Sequence, residues 1–457
     1  MSTNTAPQTA SADPDLAPPG RRPSPVLALT AALLGFALIT LDTSVVNVAL
    51  PVIGSVLGGG MSGLQWVLDA YTLAFAAMLL STGAFSDRIG AGRAYAVGIA
   101  LFTAASVACG LAPNLGVLIG SRVAQGLAAA VVLPTTLALV RQAYTDPLQR
   151  ARAVSLWAAG GTAAMALGPV AGGALITAWD WRGIFFINVP LGLAGLALAT
   201  RVPRSERRPA PLDLPGQLAA VVALAALAFA VIEGGRLGLV ALGVTAVSAF
   251  AFVRIEARQP HPVVPLGLFR TRTVAVAIAA GCAASVAFYG AIFVFSLYFQ
   301  QVRGERALAA GLLFLPMTAL IAVVNVVSSK LAARFGAGLP MVLGQLLAAA
   351  GALLLLLAGA DTPVLLVSFL LVPLALGCGL ALPPLIATMM DAVPAERAGL
   401  AAGVLNAGRQ TAGGLAIAVF GSLVADGFVS GLRISMLVSA VLLAVTAAAT
   451  ARLRLGR

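Results

Sequence analysis

Four charged side chains stand in stretches where charge is costly. Asp42 interrupts an apolar run that is otherwise free of charge from Val26 to Ile53, and Asp69, Arg122 and Arg409 sit in later apolar runs. At the middle of a membrane helix such a side chain costs about 2.5–3.5 kcal/mol on insertion scales. In a chain with 16 acids in all, an acid at that depth points to proton carriage or to substrate contact. At 1.5 Å per residue, Arg122 lies roughly 10 Å below the outer end of its run and Asp42 about 24 Å from the inner end of its own. Their depths overlap, and Asp42 and Asp69 are the two acids deep enough to meet the arginine. A movement of Arg122 toward or away from Asp42 would switch the carboxylate between releasing and holding a proton. The alternative is a permanent ion pair that only fixes packing. Asp69, six residues into its run, is a second proton candidate or a group at the outer mouth.

Other chemistries have little to stand on. Cys109, Cys282 and Cys378 lie far apart in apolar runs, and the single histidine, His261, falls between two of them. Neither a metal-ligand spacing nor a nucleophile with its base is present. A P-loop needs Gly-Lys-Ser or Gly-Lys-Thr, whereas the single lysine, Lys330, is flanked by Ser329 and Leu331. The sequence therefore predicts no enzyme, no metal and no cofactor, and energy that comes from an ion gradient or a partner.

The elements that must position these charges are helices in lipid. Sixty per cent hydrophobic residues, 10% charged residues and a mean hydropathy of +1.00 set the chain apart from soluble domains, which carry about 25% charge. Fourteen apolar runs are long enough to cross a hydrocarbon core: 26–51, 63–85, 94–112, 115–139, 153–178, 183–200, 216–234, 237–255, 273–299, 307–328, 339–360, 363–389, 399–425 and 432–451. They are continuous rather than alternating, so helices and not a barrel are expected. Of the 28 Lys and Arg residues, 21 fall on one side of this arrangement and 5 on the other. That asymmetry is the positive-inside pattern. It places both termini in the cytoplasm of a multi-pass cell-membrane protein and makes nucleic acid unnecessary as an explanation of the net charge of +12.

Residues 1–24 read as a disordered cytoplasmic tail. Arg21 and Arg22 imitate a signal sequence, but the following run is long and contains Asp42, so an uncleaved first helix is expected. Pro51 is expected to help end that helix. An internal repeat organises the remainder. Ser86–Gly92 (SDRIGAG) echoes Ala332–Gly338 (AARFGAG) 246 residues later, and Arg152, Ala153 and Gly168 echo Arg397, Ala398 and Gly413 at an offset of 245. The offsets match run two to run ten and run five to run thirteen. Two six-helix halves, 25–202 and 259–457, with an inserted helix pair in 203–258, account for this, and parallel repeats of that kind point to a transporter.

Five blocks carry a family resemblance. LDTSVVNVALP (41–51), GAFSDRIGAGR (83–93), RVAQG (122–126), ALGPVAGG (166–173) and WRGIFFINVPLG (181–192) together resemble the major facilitator superfamily, and within it the fourteen-helix drug:proton antiporters. The resemblance implies an all-α membrane fold with 14 transmembrane helices. It also implies proton-coupling roles for Asp42 and Arg122, and a fourth-helix motif that includes Gln125 and Gly126. It links the packing of Gly168, Pro169, Gly172 and Gly173 to antiport rather than symport. Physically, Gly168 and Gly172 form a small-xxx-small face, and Pro169 removes one helix hydrogen bond. In the second block, Gly83 and Gly90 permit tight packing and a sharp turn, while Asp87 and Arg88 suit a charged latch that breaks and re-forms. Phe85 and Ala91-Gly92 depart from the family pattern of a leucine and two basic residues, which predicts a weaker latch.

Runs one, four, nine and twelve are expected to line the centre. Candidate substrate contacts are Asn47, Phe288, Tyr289, Phe293, Tyr298, Gln300 and Arg409, a set that suits apolar, often cationic compounds. The expected activity is export of drugs, antibiotics or similar small organic compounds in exchange for protons, by a protein that works as a monomer. Export of one endogenous metabolite is the alternative within transporters, and a channel or a membrane sensor are alternatives outside them.

Overall fold

The computed structural model describes residues 24–453 except 145, 202–212, 260–261, 263, 265 and 394–397; the side chains of residues 80, 81, 83, 84, 87, 147, 151, 322 and 398–400 are likewise outside the description. The expectations for the 1–24 tail, for Arg397 and for the side chain of Asp87 therefore lie outside the described residues.

Every described regular element is helical. The first group is α1 (Pro25–Leu57), α2 (Gly60–Ile89), α3 (Ala91–Gly110), α4 (Leu115–Ala143), α5 (Pro147–Ala178), α6 (Gly183–Phe186) and α7 (Asn188–Ala199). A hairpin, α8 (Leu214–Glu233) and α9 (Gly235–Arg258), follows. The last group is α10 (Arg272–Leu297), α11 (Ala307–Leu313), α12 (Leu315–Phe335), α13 (Gly338–Leu354), α14 (Val364–Asp391), α15 (Ala398–Asp426) and α16 (Phe428–Ala451). Apolar length sets these helices, because in hydrocarbon each backbone polar group must be satisfied within its own segment. Local signals set their starts. Asn114 and Asp146 cap α4 and α5 by accepting from the amides of Val117 and Gln149 at 3.0 and 2.8 Å, and Asp213 caps α8 in the same way through Gly216.

Among the described residues, eleven helices are long and apolar enough to cross a membrane, and Gly183–Ala199 is a shorter apolar segment. Of the fourteen expected runs, those not among the eleven coincide with α2, α15 and the broken α6–α7. In α2, residues 80, 81, 83, 84 and 87 lie outside the described side chains; a physical reason applies to both α2 and α15. They pack along each other and so carry polar residues such as Gln65, Asp69 and Gln410 on faces turned to protein rather than to lipid. Large apolar side chains cover the outside instead; on α9, Leu237, Leu239, Val240, Val247 and Phe250 are each more than 60% exposed. Hydrocarbon is the solvent such a surface fits.

The packing of the two groups is parallel. α1 lies along α5 as α10 lies along α15, and α2 and α3 flank α4 as α12 and α13 flank α14. Gly168 abuts Ser44 on α1, and its sequence echo Gly413 abuts Tyr289 on α10. Gly90 and its echo Gly336 both cap helices with left-handed backbones, at φ +90° and +83°. The rest of the 83–93 block is not a loop up to that point: α2 runs through Gly83 and Asp87 to Ile89, and Gly90 makes the turn. Arg88 is exposed.

α1 starts on the face where α16 ends, here called the terminal face. The largest core cluster sits at the opposite, far face, where the ends of α1 and α10 meet through Ala49, Leu50, Ile53, Phe295 and Phe299. Pro51 does not end α1, which continues to Leu57. The proline lacks an N–H and so frees the carbonyl of Asn47. Ser296 of α10 donates its hydroxyl to that carbonyl at 2.7 Å, and Gln300 donates to Val48 O at 3.0 Å. The helix persists because the other group of helices satisfies what the proline leaves open.

Candidate functional site

Asp42 and Arg122 form an ion pair of 2.6 Å, with side chains 0% and 1% exposed. Around them is a closed set of donors and acceptors. Asp42 Oδ2 accepts from Arg122 Nη1 at 2.6 Å, and Oδ1 accepts from Gln125 Nε2 at 2.7 Å and Asn188 Nδ2 at 2.8 Å. Arg122 also donates to Gln125 Oε1 at 2.7 Å and through Nε to Val67 O at 3.1 Å. Ser106 Oγ receives Gln125 Nε2 at 2.8 Å and Asn188 Nδ2 at 3.3 Å. The guanidinium lies 4.2 Å from the Tyr71 ring centre, a cation–π distance. Five helices thus converge on one carboxylate: α1, α2, α3, α4 and α7.

Helix spacing explains part of this. Arg122 and Gln125 are three residues apart and share a face. Gly126 lets α4 approach so closely that a Cβ there would strike Tyr71 O on α2, which brings Val67 O within reach of Arg122. Gly168 and Gly172 do the same for α5 against α1: Cβ atoms there would strike Ser44 and lie 2.8 Å from Val45 Cγ2. Their close packing fixes the segment that immediately follows Asp42. Gly173 faces the other way. Its Cβ would lie 2.5 Å from Ala307 O on α11, and a Cβ on Gly311 would strike Pro169 O. The 166–173 block therefore packs α5 on α1 with one side and on the second group of helices with the other.

The remaining predicted residues divide. Asn47 and Tyr289 line a cavity of about 20 Å³, measured as space open to the centre of a water molecule, between α1, α2, α4, α10 and α15; Thr43, Arg122 and Gln410 line it too. That is room for about one water. Phe288 lines a second, apolar cavity with Ser44, Met165, Pro169, Phe314 and Ile321. Phe293 and Tyr298 line neither: both are fully buried in the far-face core, and Tyr298 donates its hydroxyl to Gly359 O at 2.7 Å. Gln300 joins α10 to α1, as described above. Asp69 is fully buried, and neither carboxyl oxygen has a hydrogen-bond partner among the described residues. It faces α15, where a Cβ on Gly414 would lie 3.2 Å from its Oδ1. Arg409 is half-buried on α15 and donates to Ser285 Oγ at 3.3 Å and Asn406 Oδ1 at 3.4 Å.

Asn188, Ser106 and Tyr71 were not singled out from the sequence. Asn188 had a signal, since it lies inside the WRGIFFINVPLG block. Ser106 and Tyr71 had none, because one serine or tyrosine in an apolar run does not reveal which neighbour it faces.

Comparison with known proteins agrees with this architecture. The family model described as Major Facilitator Superfamily matches residues 32–419. Multidrug resistance protein Stp of Mycobacterium tuberculosis is 39% identical over 411 residues, covering 88% of this chain and 76% of that protein. The methylenomycin A resistance protein of Streptomyces coelicolor is 38% identical, covering 88% and 86%. Drug efflux pump JefA of M. tuberculosis is 35% identical, covering 87% and 80%. Among solved structures, a peptide transporter POT in complex with sulfate superposes with a TM-score of 0.70 at 18% identity, covering 94% of this chain and 96% of that one. A bacterial homologue of the lysosomal transporter Spinster gives 0.65 at 18%, covering 94% and 97%; both likenesses bear on fold alone. The chain belongs to the Major Facilitator Superfamily, a multi-pass membrane transporter rather than an enzyme, and its relatives are drug-efflux and antibiotic-resistance proteins.

Proposed function

We propose that this protein exports drugs, antibiotics or similar small organic compounds from the cell in exchange for protons, by alternating access. The observation that carries the reading is the buried Asp42–Arg122 pair at the edge of the cavity between the two groups of helices. The carboxylate accepts three donors from helices α4 and α7, and its charge is matched only while those donors stay in place. Withdrawal of Arg122 as the helices tilt would leave the buried Asp42 charge without its counter-charge, and uptake of a proton would remove that cost. Asp69, buried and without a hydrogen-bond partner among the described residues, serves as a second proton-carrying group on the seam with α15.

The architecture read here is two six-helix halves, α1–α7 and α10–α16, with α8–α9 inserted, fourteen spans in all, and both termini in the cytoplasm. The parallel packing of the two groups and the 246-residue glycine echo support it. The halves are held together toward the far face, by Gln65 to Ala418 O at 2.5 Å and by Ser296 and Gln300, which donate to the α1 carbonyls of Asn47 and Val48. This arrangement suits a state closed on the far side. Protons, the substrate and lipid are its partners, and the protein acts as a monomer.

The test is substrate-driven proton release from proteoliposomes containing Asp42→Asn. The neutral amide keeps the shape of the site but leaves the buried Arg122 charge without its partner, so insertion of the variant is verified first; the inserted variant should bind substrate but release no protons. Gradient-driven export at the wild-type rate by this variant would refute the reading.

A further inference from the structure

The charges inside the bundle do not balance locally. Asp42 and Arg122 neutralise each other. Asp69 is sealed, at 0% exposure, against Gly414. Arg409 is the third site, and among the described residues no acidic side chain pairs with it. Its two hydrogen bonds go to neutral acceptors at 3.3 and 3.4 Å, the long end of the usual range. A guanidinium offers five N–H donors in a planar fork, so most of its capacity is unused.

The surrounding sequence makes room for this side chain. On α10, Gly281 has no Cβ; one added there would lie 3.2 and 3.3 Å from Arg409 Cγ and Cδ. Gly281 therefore gives the arginine stem its bed between α10 and α15. The head reaches Ser285, which is one helical turn, about 6 Å, from Tyr289. Tyr289, Gln410 and Gly413 all line the cavity between the halves. Arg409 thus stands one turn from that cavity on the side of the terminal face, with Ser285 and Asn406 as polar neighbours.

Resting on the exporter reading above, we infer that Arg409 recognises an acidic group of the substrate, so that the preferred cargo is a small organic compound carrying a carboxylate. The fork of arginine matches a carboxylate with two parallel N–H···O bonds. A cationic cargo would need an accessible acid, and Asp42 and Asp69 are both closed off.

The experiment uses the full chain, purified and reconstituted, with matched triplets that share one ring system and differ in one group. Phenazine-1-carboxylate, phenazine-1-carboxamide and the N-methylphenazinium cation form one such set, and acid, amide and amine versions of other rings extend it. Binding is read as ligand-induced thermal stabilisation, and export as proton-driven flux. The acid member should bind most tightly. Arg409→Gln should weaken the acid by about tenfold or more, the usual size of a lost hydrogen bond to a charged group, while leaving the amide unchanged within about twofold. Arg409→Lys keeps the charge without the fork and should fall between; it carries the test if the glutamine variant does not insert. Preference of the wild type for the cation, or an equal loss for all members of a triplet in Arg409→Gln, overturns the assignment and leaves the exporter reading standing. If Asp69→Asn reproduces the Arg409→Gln defect, Arg409 is a moving partner of Asp69 and the assignment fails. Absence of proton-driven flux for every compound sinks the exporter reading, and this one with it.

Discussion

Replacing Arg122 by glutamine tests whether the central pair does more than hold helices together. In the wild type, Arg122 makes three hydrogen bonds, to Asp42, Gln125 and Val67 O, with both charges fully buried. Removing one member of a buried pair leaves the other charge uncompensated and costs about 3–5 kcal/mol. Asp42 retains Gln125 and Asn188 as donors, so the loss should sit at the lower end, about 3 kcal/mol. The double variant Asp42→Asn/Arg122→Gln removes both charges and should recover most of that stability, because neutral replacement of a buried pair is often close to free. Proton-coupled flux should not recover, since no titratable group remains at the site. Stability is read from unfolding in mixed SDS micelles, and flux in proteoliposomes made from the same preparations. If the single variant unfolds like the wild type, the pair carries no such energy and the geometric argument fails. If the double variant regains coupled flux, the pair is only a packing device.

Other perturbations address neighbouring links. Asn188→Ala removes one donor from the Asp42 carboxyl at 2.8 Å and should lower coupled transport by about tenfold, the scale of one charge-assisted bond; initial rates in vesicles check this. Ser296→Ala leaves the Asn47 carbonyl, already freed by Pro51, without its donor. The far-face closure should weaken by about 1–3 kcal/mol, seen as faster labelling of a cysteine placed at Leu57, part-buried at the far end of α1, in a variant lacking the native cysteines. Gly173→Ala forces a methyl group to 2.5 Å from Ala307 O, an overpacking worth about 1–3 kcal/mol. It should shift the same labelling in the same direction while leaving the Asp42–Arg122 pair intact; unchanged labelling would contradict the packing described.

The pair at the centre was legible in the sequence because its cost was legible. An acid and an arginine in otherwise apolar runs stand out, and helix rise alone puts them at overlapping depths. Gly168 and Gly172 were also legible as close-packing positions, although not which helix each one meets; Gly126 was marked only by the family resemblance. The aromatic residues of α10 were less so. Phe288, Tyr289, Phe293 and Tyr298 look alike on one apolar helix, yet the fold sends Tyr289 and Phe288 to cavities and buries Phe293 and Tyr298 in the core. Pro51 was read as a helix end because the rescue of the Asn47 carbonyl comes from Ser296, 249 residues away.

Composition and apolar run length by themselves determined a helical membrane protein, since in hydrocarbon only helices and closed barrels satisfy the backbone, and the runs are continuous rather than alternating. The cost of charge in those runs marked Asp42, Asp69, Arg122 and Arg409 as the residues to explain. Tertiary structure decided their partners: Asp42 received Arg122, Gln125 and Asn188, Asp69 was shut against a glycine, and Arg409 was left with two neutral acceptors. Burial cost is a property of one residue and its own segment. A partner is a property of how five helices pack at once, and no single segment contains that information.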